Sequence, residues 1–154
     1  MDGGTVYNTN LVSAVEKCLE LVDSPAKITM DIVICGHAEM DALEKPGNTI
    51  SNYLRYRAIK KYDHALDDVL EFQKTEPLVN YRYLVIPSIA LNSGIKELDF
   101  SPEATTPMVE LGKQDAQNII NLGKGKSFSL LSEWKSEKVE NKHAFGKYLH
   151  SFAS

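Results

Sequence analysis

The chain has 154 residues, 43% hydrophobic and 25% charged, a composition that excludes disorder and suits one domain built around one core. A net charge of -4 and scattered basic residues exclude a nucleic-acid binder, which needs clustered Lys and Arg to meet phosphates. No apolar run approaches the roughly 18 residues of a membrane span and no charged start leads into an apolar signal segment, so any membrane contact is expected to be peripheral.

In chain order, Leu11, Val15, Cys18 and Val22 recur at helical spacing behind Asn10 or Thr9, either of which can cap the helix. Asp23-Ser24-Pro25 stops it, and residues 28–35 read as a mostly buried strand ending at Gly36. Cys18 and Cys35 fall in these two stretches as buried, reduced thiols, which fits an intracellular, cytoplasmic setting. The opening helix and strand follow Asp2-Gly3-Gly4 as they would follow the end of an earlier strand, expected just ahead of residue 1.

Residues 44–48 carry turn chemistry, and Thr49 can cap a long helix to about Gln73. Its apolar stripe is Ile50, Tyr53, Leu54, Ala58, Ile59, Tyr62, Leu66, Val69 and Phe72. The densest basic patch, Arg55, Arg57, Lys60 and Lys61, falls on that helix and reads as its solvated face. Residues 81–86 form a second strand closed by Pro87; Thr106 and Pro107 are then read as N-cap and first residue of a helix to about Leu122. Gly123-Lys124-Gly125 breaks the pattern, leaving a charged, weakly helical tail. The organisation expected is an α/β unit over 1–122 and a helical tail over 123–154.

Several short motifs invite chemistry. Gly125-Lys126-Ser127 lacks the earlier glycine of a phosphate loop, since position 120 is Ile120, and follows a helix instead of a strand; it reads as an inter-helix loop. His37-Ala38-Glu39 copies the first half of a zinc deaminase signature without its paired cysteines, so His37, Glu39 and Asp41 after the strand end are either a metal or active-site cluster or polar loop residues. No serine stands in a Gly-x-Ser-x-Gly elbow and neither cysteine is flanked as a nucleophile, so the chain itself supplies no attacking group. A carboxylate at the carboxyl edge of an α/β sheet can act as general base for a hydroxyl delivered from elsewhere, and Asp2 ahead of Gly3-Gly4 is the candidate.

Taken together, MDGGTVYNTN, the helix LVSAVEKCLELV and the strand ITMDIVICG resemble the second half of a patatin-like lipid acyl hydrolase domain. Asp2 matches that family's catalytic Asp, Gly3 and Gly4 its glycines, and Asn8 the first Asn of its Asn-Asn-Pro segment; Thr9 and Asn10 depart from the rest. Downstream, Tyr81, Arg82, Tyr83, Pro87, Leu98 and Asp99 are similar to the family's closing strand and turn.

The resemblance covers about residues 1–122. It implies an α/β fold, a partial three-layer patatin-like sheet with flanking helices whose N-terminal strands are missing from this chain. It also implies a Ser-Asp dyad acting on fatty acyl esters without metal or cofactor. Asp2 would be the general base, Gly3, Gly4 and Asn8 would support the motif, and the nucleophilic Ser and oxyanion loop would lie in a separate N-terminal half. The chain alone is then expected to be inactive. The alternative is a non-catalytic small α/β interaction module.

Overall fold

The computed structural model describes residues 10–35, 49–89, 99–136 and 145–152. It is a mixed α/β structure, mostly helical, with a two-stranded parallel sheet. In chain order it contains α1 (Leu11–Leu19), β1 (Thr29–Val33), α2 (Thr49–Thr75), β2 (Asn80–Val85), α3 (Pro102–Leu122), α4 (Lys126–Ser136) and α5 (Phe145–His150). The chain divides into two compact units, residues 1–31 with 47–82 and residues 32–46 with 83–154, each taking part of both strands.

In the first unit, Asn10 caps α1 by accepting the Ser13 N–H at 3.2 Å. The helix is shorter than its periodicity suggests, because the Cys18 carbonyl accepts from both Leu21 and Val22 and the chain turns there. Only Val15 of α1 is buried. Cys18 is exposed, contrary to the sequence expectation, because α1 covers little more than one residue's worth of its apolar stripe. Ser24 then caps a short 3-10 turn, Pro25–Lys27, that leads into β1.

β1 alternates instead of being buried throughout. Ile28, Met30, Ile32 and Ile34 point inward, while Thr29, Asp31, Val33 and Cys35 face outward, so Cys35 too is exposed. A strand with one wet face shows this two-residue period even where its sequence is apolar on both sides.

α2 buries Ala65, Leu66, Val69 and Phe72 along its second half. Tyr53, assigned to the same stripe by its spacing, is 59% exposed, and Thr49 lies within the helix. The remaining expected stripe residues before position 64, and the basic patch from Arg55 to Lys61, have side chains outside the described residues.

Where α2 ends, the Tyr81 hydroxyl donates to the carbonyls of Phe72 (3.3 Å) and Glu76 (3.1 Å), and its ring meets Phe72 edge-on. The Phe72 carbonyl also accepts the Glu76 N–H at 2.9 Å and the Thr75 hydroxyl at 3.0 Å, so the phenol joins the groups that close the end of α2. The Asn80 N–H then donates to the Ile28 carbonyl (2.9 Å) and its side chain to the Ala26 carbonyl (2.7 Å), setting β2 alongside β1. Arg82 forks onto Asp31, with Nε to Oδ1 at 3.0 Å and Nη2 to Oδ2.

In the second unit the start of α3 corrects the sequence reading. Ser101, not Thr106, is the N-cap: its hydroxyl accepts from Ala104 at 3.3 Å, and Pro102 opens the helix. The pair Ser101-Pro102 has the same cap chemistry as Thr106-Pro107, with Glu103 added in the favoured first turn. A preceding turn favours it further, since Asp99 accepts the Ser101 N–H at 3.0 Å. Hydrogen bonds from the Ser101 hydroxyl and N–H hold the Asp99 carboxyl below the usual carboxylate range. Pro107 therefore stands inside the helix. Lacking an N–H, it leaves the carbonyl four residues back without a helical donor.

α3 ends at Gly123, whose φ of 105° favours glycine for conformational reasons, because a Cβ there would meet nothing within 4 Å. With Gly125, at φ 77°, it forms the inter-helix turn read from the sequence. α4 and α5 bury Phe128, Leu130, Leu131, Trp134, Phe145 and Leu149, and both pack with α3. Among the described residues, no helix is long and apolar enough to cross a membrane.

Two outcomes check these assignments. Ser101→Ala should lower stability by about 1 kcal/mol in urea unfolding, the usual value of a cap, whereas Thr106→Ala should change it by less than about 0.5 kcal/mol. The second concerns Tyr81, whose phenol is pushed from its ordinary value of 10.0 to about 12, first by burial and then by the charge of Glu76. A raised acid favours the neutral folded form, so this stabilisation is complete below pH 10.0 and is lost as pH rises through about 12. Tyr81→Phe should abolish that alkaline loss in a pH series of unfolding curves.

Candidate functional site

Asp2, Gly3, Gly4 and Asn8 lie outside the described residues, as do His37, Glu39, Asp41 and Leu98. Within the second unit, the described residue cluster with the most polar chemistry stands at the carboxyl end of β2, the edge at which open α/β sheets bind ligands. It is built by α3 and α5 around Ile86, Pro87 and Ser88.

Asp115 comes from α3, one turn before Ile119, so both face inward, and it is 2% exposed. Its Oδ2 accepts the Ser88 N–H at 2.9 Å. His150 is the last residue of α5, brought inward beside Leu149, and its side chain is 9% exposed. Its Nε2 lies 2.9 Å from the Ile86 carbonyl and 3.7 Å from Asp115 Oδ1. A carbonyl can only accept, so Nε2 carries a hydrogen and donates it to Ile86. Among the described residues, Nδ1 of His150 is buried without a hydrogen-bond partner.

Chemically, the pair clamps backbone. The carboxylate holds an N–H and the imidazole holds a C=O, two residues apart on the chain leaving β2. Ser127, the serine of the Gly-Lys-Ser motif, is likewise structural: it is fully buried and its oxygen accepts the Leu84 N–H at 2.9 Å. Sequence reasoning passed over Asp115 and His150. The signal for Asp115 was present, because Met108, Leu111, Asp115, Ile119 and Leu122 form one helical stripe in which a carboxylate interrupts apolar residues. His150 carries no comparable mark.

A second concavity lies in the first unit, a groove of about 560 Å³ between α1 and the end of α2. Leu11, Val12 and Phe72 supply apolar lining, and Glu16, Asp68 and Glu71 bring three carboxylates. Among the described residues, no three His, Cys, Asp or Glu side chains are grouped so as to hold a metal ion.

Comparison with known protein families, with curated proteins and with solved structures finds no match.

If the clamp is as built, Asp115→Ala strands the Ser88 N–H and should cost about 1.5–3 kcal/mol, the range for a hydrogen bond to a charged group. Asp115→Asn keeps an accepting oxygen and should lose less. Urea unfolding of the two variants measures the difference.

Proposed function

We propose that the chain is the C-terminal part of a patatin-like lipid acyl hydrolase domain, with Asp2 as the general base of a Ser-Asp dyad. In this reading Asp2 takes the proton of a serine hydroxyl as that oxygen attacks a fatty acyl ester, then returns a proton to the leaving alcohol. The serine and the oxyanion donors come from an N-terminal half of the domain, since no Gly-x-Ser-x-Gly elbow occurs in this sequence. Gly3 and Gly4 let the backbone turn beside Asp2, and Asn8 belongs to the segment that opens α1. The lipid is met at a membrane surface or in dispersion.

The observation that supports this reading is the parallel pairing of β1 and β2 through the crossover helix α2. Strand, helix and strand occur in the order the resemblance calls for, with Tyr81, Arg82 and Tyr83 on β2. Among the described residues the parallel sheet has two strands, and parallel strands are normally covered on both faces and flanked by others. β1 leaves Val33 66% exposed on its outer face, as a strand awaiting a further layer would.

A second reading, a non-catalytic interaction module, draws support from the second unit, where Phe128, Phe145, Leu131 and Leu149 are nearly or fully buried without any further chain.

Co-expression with a segment carrying a Gly-x-Ser-x-Gly elbow and a Gly-rich loop separates the two. The lipid-hydrolase reading expects acyl ester hydrolysis that falls by about a hundredfold or more in Asp2→Asn, as general-base contributions run. It expects little change in Asp99→Asn or Asp31→Asn. Hydrolysis indifferent to Asp2, or no hydrolysis with a folded pair, favours the module.

A further inference from the structure

We propose that the outer face of α2 pairs antiparallel with α2 of a second copy of this chain, Tyr53 of each copy entering the groove between α1 and α2 of the other. This pairing involves the first unit alone and holds independently of the lipid-hydrolase reading.

Charge is ordered along the outer face of α2. Arg57, Lys60 and Lys61 precede His64, and Asp67, Asp68 and Glu71 follow it. Successive members of this series are three, one, three, three, one and three residues apart, so helical register sets them all on one stripe. His64, Asp67, Asp68 and Glu71 are exposed there, while Ala65, Leu66, Val69 and Phe72 are buried on the opposite side of the helix. No cation of the stripe stands three or four positions from one of its carboxylates, the separations at which helical side chains meet. The two signs are therefore not neighbours along one helix.

The same order is complementary to its own reverse. In an antiparallel pair with a two-fold axis at His64, residues equally far before and after His64 face each other. Arg57 then meets Glu71, Lys60 meets Asp68 and Lys61 meets Asp67, and the two-fold repeats each pair in an isologous contact. A parallel pair would set like charges against like, which is repulsive.

This register also places Tyr53 of one copy beside Thr75 of the other. Tyr53 is 59% exposed on its own chain. Thr75 lines the groove of about 560 Å³ to which Leu11, Val12 and Phe72 give an apolar floor and Asp68 and Glu71 an acidic edge. An apolar floor with an acidic edge suits an aromatic ring accompanied by cations, and Arg57 follows Tyr53 by one turn. Val12, 57% exposed at the groove, gains cover from that ring. From Tyr53 to Thr75 the paired stretch spans about 33 Å of each helix at 1.5 Å per residue.

Sedimentation equilibrium of the full chain tests the pairing. The expected result is a reversible monomer–dimer equilibrium that weakens about tenfold or more between about 0.05 and about 0.5 M salt, because exposed ion pairs are screened. Arg57→Glu with Lys60→Glu should abolish the dimer, and so should Asp68→Lys with Glu71→Lys, each by bringing like charges together. Mixing these two doubly substituted chains should restore a dimer, since the reversed halves then match. Tyr53→Ala should weaken the wild-type dimer about tenfold, as loss of an aromatic anchor does.

Urea unfolding of each variant separates a lost contact from a lost fold. Should a doubly substituted chain fail to fold, Lys60→Glu and Asp68→Lys alone carry the same reversal and the same mixing test. A chain that stays monomeric at millimolar concentration overturns the proposal. So does a dimer indifferent to salt, or reversed chains that fold but do not pair when mixed.

Discussion

Parallel pairing of two successive strands is the constraint from which most of this fold follows. Antiparallel neighbours can be joined by a two-residue turn, but parallel ones require the chain to travel back along the sheet before the second strand begins. Here the return includes α2, 27 residues and therefore about 40 Å of helix at 1.5 Å per residue. The difficulty of such a connection is to bring the chain out at the right place. Asn80 meets it with two donors aimed at the carbonyls of Ile28 and Ala26, while the neighbouring Tyr81 reaches back to the last carbonyls of α2. Helix end and strand start are thus fastened to one another and to the segment leading into β1.

The second unit solves a related problem with buried oxygen atoms. Asp115 and Ser127 are the buried polar or charged side chains among the described residues, and each accepts a backbone N–H, from Ser88 and Leu84 respectively. Apolar helices can slide over one another at little cost; a buried N–H that must find one particular oxygen cannot. α3 and α4 are therefore positioned by single polar contacts set within an apolar core of Leu84, Ile86, Ile119, Phe128 and Leu131.

Periodicity made most of the element order legible. The two strands and the helices α1, α2 and α3 stand where apolar spacing and turn residues indicate, because those signals are local. Burial was less legible. Cys18, Cys35 and Tyr53 have the right spacing for a core but lie outside it, since how much of a stripe is covered depends on partners remote in sequence. The start of α3 failed for a different reason: two Ser/Thr-Pro pairs offered similar caps, and Glu103 in the first turn together with the Asp99 turn distinguishes them. The clamp at β2 was hidden because it joins residues 27 and 64 positions apart in sequence. No local pattern records such a pairing, although the carboxylate within the apolar stripe of α3 hinted at half of it.

The fork between Arg82 and Asp31 has a consequence beyond its modest strength. Both side chains are exposed enough for water to weaken their attraction, so the pair adds little to stability. Alignment is another matter. β2 carries only a weak inside-outside alternation in its first four residues, and a strand of that kind can pair one position out of step with small loss. A one-residue slip would turn Arg82 to the opposite face of the sheet and leave both charges unmatched. A planar guanidinium engaging both carboxylate oxygens tolerates no such error, so the ion pair discriminates against misaligned strands where the hydrophobic pattern is too faint to do so.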